Sequence, residues 1–156
     1  MIAIIDYDAG NTFNVQKALQ HIGLDAVLTA DRETILAADG VILPGVGAYA
    51  SAVSVLRERG LIEVIHEVVD RNIPLLGICL GMQLLFDESE EYGPTPGLGI
   101  IPGTVKAIPN NLGLRVPHMG WNQNTLCRKD SVFSDIADKY TYFVHSYYVD
   151  TDSQYV

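Results

Sequence analysis

Short apolar runs, each followed by a stretch with helical periodicity, recur through the first half of this sequence, and that alternation restricts the fold more than any other feature. MIAII (residues 1–5), LDAVLT (24–29), GVILP (40–44) and PLLGIC (74–79) are too short for helices and too apolar for loops. They read as strands buried on both faces. Between them, NTFNVQKALQHIG places Phe13, Val15, Ala18, Leu19 and Ile22 on one helical face, with Asn11 or Thr12 as the cap. DRETILAAD starts a helix at Asp31, and AYASAVSVLRERG and LIEVIHEVVDRN are two more amphipathic helices, the first closed by Gly60. Strands alternating with helices imply an α/β fold: an open, mostly parallel sheet with helices on both faces.

LGMQLLF, residues 80–86, reads as a helix. DESEEYGPTPGLGIIPG after it is acidic and rich in Gly and Pro, and reads as a loop. TVKAI and YTYFVHSYYVD then look like strands of a mixed continuation of the sheet. With 156 residues and no internal repeat or linker, the chain is expected to form one domain over residues 1–156.

The formal net charge of −9 and the scattering of ten Lys and Arg argue against a nucleic-acid partner. Two cysteines are too few for a disulfide scaffold or a zinc site of the CxxC…CxxC kind, so no metal is expected and a reducing compartment, the cytoplasm, fits best. MIAIIDYD has no cationic lead and meets Asp6 early, so neither a signal peptide nor a membrane span is expected.

Chemistry concentrates in GICLG, residues 77–81. In an open α/β sheet, ligands bind beyond the carboxyl ends of the strands, where this segment falls. A sharp strand-to-helix turn strains its middle residue and crowds the backbone on either side, so glycines are needed there. This is the nucleophile elbow with Cys79 in place of serine. The positive end of the following helix would favour thiolate, the reactive form. The plainer alternative is a small buried cysteine filling a corner. PGVGAYA at 44–50 matches G-x-G-x-x-A literally, yet it follows the third strand, has a proline at its entry, and the next strand ends in Cys79 where a dinucleotide site needs an acid. Backbone donation toward an anion beside Cys79 suits it better, at about 2.7–4 kcal/mol per oxyanion donor; an ordinary tight loop is the bland alternative.

Taken together, IDYDAGN, PGVGAY, GICLGMQ, EYGPTPGLGIIPG, VPHMGWN and YFVHSYY resemble the class I (triad) glutamine amidotransferases over the whole chain. They are most similar to the glutaminase subunits of imidazole glycerol phosphate synthases. The other branches, those of anthranilate, aminodeoxychorismate and guanylate synthesis, more often carry GHQ where this chain has GMQ, and lack VPHMGWN. The resemblance implies that Cys79 attacks the glutamine side-chain amide to give a glutamyl thioester and ammonia, without metal or organic cofactor. Leu80 would hold the oxyanion together with Val46 and Gly47, whose shared peptide rotates inward in the family. It assigns Gln83, Glu91, Ser146 and Tyr147 to the glutamine head group. Without it, Gln83 reads as an exposed helix residue, Glu91 as part of a solvated acidic run, and Ser146 and Tyr147 as strand residues. The VPHMGWN loop would lie against a cyclase subunit, a (β/α)₈ barrel forming a heterodimer and receiving ammonia. Pro117, His118, Met119, Trp121 and Asn122 would meet that partner, with Asn11, Asn14 and Tyr142 near the same face.

One departure stands out. The family draws its general base and orienting carboxylate from an FHPE-type stretch, and no HP dipeptide occurs here. His21 and His66 fall on helical patterns, His118 in the partner loop and His145 in the HSY strand; none matches the catalytic position. The chain stopping at Val156 reads as a domain truncated at its C-terminal end, nearly inactive alone and marginally stable, or as a non-catalytic partner-binding fragment.

Overall fold

In the computed structural model, residues 1–113 and 115–156 are described. Strands β1 (Ile2–Ile5), β2 (Ala26–Thr29), β3 (Gly40–Leu43) and β4 (Leu75–Gly77) form a four-stranded sheet in the order β2-β1-β3-β4, every pair parallel. Helices α1 (Thr12–His21), α2 (Arg32–Leu36), α3 (Tyr49–Glu58) and α4 (Leu61–Asp70) connect these strands. The Asn11 side chain caps α1 by accepting from the Asn14 amide at 3.4 Å, and Asp31 caps α2 by accepting from the Thr34 amide at 2.8 Å.

Alternation along β1 and β3 sends side chains to both faces of this sheet. Ala3, Ile5, Val41 and Leu43 join the main core with Leu56, Leu61, Ile65 and Val68 of α3 and α4. Ile4 and Ile42 are buried outside that cluster. They belong to a cross-strand row, Leu28–Ile4–Ile42–Leu76, whose two ends are 37% and 42% exposed.

The apolar face expected of α1 is not buried. Phe13 and Ile22 are 65% and 67% exposed, and no residue of the helix is buried. The helix packs against the edge strand β2.

The second half departs further from expectation. The helix after Cys79, α5, spans only Leu80–Gln83, and the chain then enters β5 (Phe86–Ser89) where a longer helix and a loop were predicted. A β-bulge between Phe86 and Glu88 puts two exposed carboxylates in succession, which hides the period-two signal of a strand. β5 pairs with β6 (Thr95–Pro96) and β7 (Ile101–Ala107), and β7 pairs with β10 (Tyr147–Asp150), giving a separate sheet in the order β10-β7-β5-β6. Phe86, Leu98 and Val105 of this region join the main core, which runs continuously under both sheets.

VPHMGWN, predicted as a loop, contributes β8 (His118–Gln123), antiparallel to β9 (Tyr140–His145) in a two-stranded sheet. YTYFVHSYYVD is thus split at Ser146 between two sheets rather than continuing one. Among the described residues, no helix is long and apolar enough to cross a membrane.

Candidate active site

Cys79 follows β4 directly, with φ 55° and ψ −120°. An L-residue held there is strained, and the packing around it explains why the strain persists. A Cβ on Gly77 would lie 2.5 Å from Met82 Cα, and one on Gly81 would overlap the carbonyl oxygen of Leu43. Both glycines are therefore required by backbone approaching backbone. They press α5 against the ends of β3 and β4 and leave Cys79 at the apex.

The thiol is exposed, so the corner-filling alternative does not describe it. The helix behind it is one turn long, and the dipole expected there is correspondingly short.

The PGVG turn at the end of β3 packs on the same corner. A Cβ on Gly45 would lie 2.7 Å from the Gly81 amide nitrogen and 2.8 Å from the Tyr7 hydroxyl. Gly47 has φ +92° with open space around its Cα, and Val46 is exposed. Among the described residues, the amides of Val46, Gly47 and Leu80 donate to no acceptor. The first turn of α3, which leaves this loop, has no side-chain cap from Ala48; the Tyr49 amide donates instead to Glu91 Oε2 at 2.8 Å.

These pieces meet around one open cavity of about 360 Å³, lined by Val46, Gly47, Cys79, Leu80, Gln83, Glu91, Pro117, Val144, His145, Ser146 and Tyr147. A strained thiol, free amides on two turns, a carboxamide, a carboxylate and a hydroxyl thus surround a volume suited to a small amino acid.

A family model described as class I glutamine amidotransferase matches residues 3–155. The chain belongs to the class I glutamine amidotransferases. Curated relatives are named imidazole glycerol phosphate synthase subunit HisH. That of Lacticaseibacillus casei is 56% identical over 155 residues, covering 99% of this chain and 74% of the relative. Those of Lactiplantibacillus plantarum and Streptococcus sanguinis are 55% and 50% identical, with 71% and 75% of their lengths covered. Among solved structures, the crystal structure of a glutamine amidotransferase aligns with a TM-score of 0.63 at 22% identity, over 78% of this chain and 63% of that one.

Every residue that the amidotransferase resemblance assigns to nucleophile, oxyanion or glutamine binding lines this cavity. The sequence reading did not place Pro117, Val144 and His145 there. His145 Nδ1 donates to the Tyr147 carbonyl at 2.8 Å, which leaves Nε2 for other partners, and its ring meets His118 edge-on at 5.3 Å between centroids. Tyr7 was also missed. Burial, and next the nearby Cys79, push its phenol up to about 12.

The residues that the resemblance assigns to a partner fall into three places. Met119, Trp121 and Tyr142 share one face of the β8–β9 hairpin, where Trp121 and Tyr142 stack edge-to-face at 5.5 Å and are 68% and 52% exposed. On the opposite face, Asn122 Oδ1 and His118 Nε2 are 2.9 Å apart, and Pro117 precedes the strand. Asn11 and Asn14 stand at the start of α1, without a hydrogen bond to the hairpin among the described residues.

Proposed function

We propose that this chain hydrolyses glutamine for an imidazole glycerol phosphate synthase, the enzyme of which its relatives are named a subunit. What supports the reading is the single cavity that joins the strained Cys79 to amides of two turns and to Gln83, Glu91, Ser146 and Tyr147. The Cys79 thiolate attacks the side-chain amide carbon, and the tetrahedral oxyanion forms against the Leu80 amide and the Val46–Gly47 peptide. Collapse, with the proton given up by the thiol passed to the amide nitrogen, expels ammonia and leaves a glutamyl thioester, which water converts to glutamate with return of the thiol. Glu91 offers negative charge to the substrate ammonium, while Gln83, Ser146 and Tyr147 hold its polar groups.

Residues 1–156 form one amidotransferase domain in this reading. An FHPE-type base and acid are not among them. A missing general base costs about 10²–10⁴ in rate, so the 156-residue polypeptide turns over glutamine slowly by itself. The partner is a cyclase subunit with a barrel fold, met through the Met119–Trp121–Tyr142 face, and the setting is the cytoplasm.

Alkylation with a glutamine-mimicking diazoketone tests the reading. Mass spectrometry should find the adduct on Cys79, with protection by glutamine. Absence of labelling in the presence of intact cyclase binding would reassign the chain as a non-catalytic binding module.

A further inference from the structure

Tyr7 lies just beyond β1, on a different segment from either turn of the site, and its side chain is fully buried. Its hydroxyl donates to the Pro44 carbonyl at 2.7 Å. Pro44 is the residue at which β3 passes into the PGVG turn. On its other side, a Cβ added to Gly10 would lie 2.9 Å from Pro44 Cβ, so the loop after β1 grips this proline from two directions. Gly45, the next residue, fits between the Tyr7 hydroxyl and the Gly81 amide with no room for a methyl group. Phenol, PGVG turn and elbow are thus three layers in direct succession.

We infer that Tyr7 is a positioning residue for glutamine hydrolysis, its hydroxyl fixing the PGVG turn in the register that faces Cys79. The inference rests on the functional reading above. At its far end the same loop is fixed by Glu91 on the Tyr49 amide, so residues 45–48 are anchored at both ends, and among the described residues the amides of Gly45, Val46, Gly47 and Ala48 between the two anchors donate to no acceptor. A phenylalanine would fill the space of the ring equally well; the hydroxyl adds direction rather than volume. Burial keeps the phenol protonated, hence a donor, throughout the neutral range.

Two electrophiles separate positioning from packing. The diazoketone must set its carbonyl against the oxyanion amides beside the sulfur, take the thiol proton at its diazo carbon and lose N2 as the C–S bond forms, whereas iodoacetamide requires only an accessible thiolate and loses iodide. In Tyr7→Phe, Cys79 labelling by the diazoketone should slow by roughly ten- to a hundredfold, the scale of a misplaced reacting group. Iodoacetamide labelling should stay near the wild-type rate. Incorporation of 3-fluorotyrosine at position 7, which keeps the donor, should retain the wild-type diazoketone rate. Equal loss with both electrophiles, or no loss with either, would overturn the inference; so would slow diazoketone labelling of the fluorotyrosine protein. If wild-type Cys79 resists the diazoketone yet reacts with iodoacetamide, the functional reading itself fails and takes the inference with it.

Discussion

The backbone amide of Tyr49 donates to the carboxylate of Glu91 at 2.8 Å, so the helix that leaves the PGVG turn starts on an acid supplied from beyond β5. One side chain therefore caps a helix and lines the cavity of Cys79. Glu91→Ala should lower stability by about 1 kcal/mol, the usual value of a cap, and the melting temperature by roughly 2–4 °C. It should also slow diazoketone labelling. Glu91→Gln keeps an accepting oxygen but loses the charge, so it should recover the melting temperature more fully than the labelling rate. Parallel recovery of both would show that charge toward the substrate plays no part.

Strain at Cys79 makes a second expectation. Its φ of 55° and ψ of −120° suit glycine far better than any residue with a Cβ. Relief of about 1–3 kcal/mol of strain, less the conformational entropy of glycine, leaves a net gain of about 1 kcal/mol. Cys79→Gly should therefore melt above both wild type and Cys79→Ala while losing all reactivity toward the diazoketone. Calorimetry of the three proteins checks this, and a glycine variant that melts no higher than the alanine variant contradicts it.

Alkaline pH should weaken the fold through its buried phenols. The Tyr7 and Tyr49 side chains are pushed from 10.0 up to about 12, both chiefly by burial. An acid whose folded value is raised stays neutral in the native state while its unfolded counterpart ionises. Its stabilising contribution is complete below pH 10.0 and disappears as pH rises toward about 12. Lys106, held up by its hydrogen bond to Asp150, acts in the same direction. Urea midpoints measured across this window should fall in wild type and fall less in Tyr7→Phe. Ultraviolet titration should show Tyr7 and Tyr49 ionising above the ordinary phenol value of 10.0.

Trp121 and Tyr142 form an exposed aromatic pair on the β8–β9 hairpin. Because Trp121 is 68% exposed, Trp121→Ala should leave the melting temperature nearly unchanged. If the hairpin meets the cyclase subunit, the substitution should weaken that binding by about 2 kcal/mol, as for an interfacial hot spot. It should also uncouple glutamine hydrolysis from synthesis. Titration of the two subunits by calorimetry measures this, and unchanged affinity would remove the hairpin from the interface.

What could be read from the sequence follows from how locally each feature is determined. The parallel strands are visible because burial on both faces leaves no polar position in IAII or GVIL. The elbow is visible because Gly77 and Gly81 answer to backbone contacts a few residues away, plus one strand. β5 is hidden because its bulge breaks the alternation that strands ordinarily display. β8 is hidden because a segment with Gly120 and Asn122 becomes a strand only by pairing with Tyr140–His145, far along the chain. Tyr7 gives no signal of its own in the sequence, because its bond to Pro44 depends on a meeting of residues 37 positions apart. The exposure of α1 is likewise settled by what does or does not cover it, which periodicity cannot reveal.

The contact of PGVG with GICLG also limits how this site can vary over generations. At Gly45, Gly77 and Gly81 the neighbours in the way include main-chain atoms that are common to all amino acids, so no side-chain change nearby can make room. Every missense change at those three codons adds at least a methyl group. The limit at this seam is therefore one of main-chain space, whereas at Gln83, Ser146 and Tyr147 on the cavity wall it is one of side-chain chemistry.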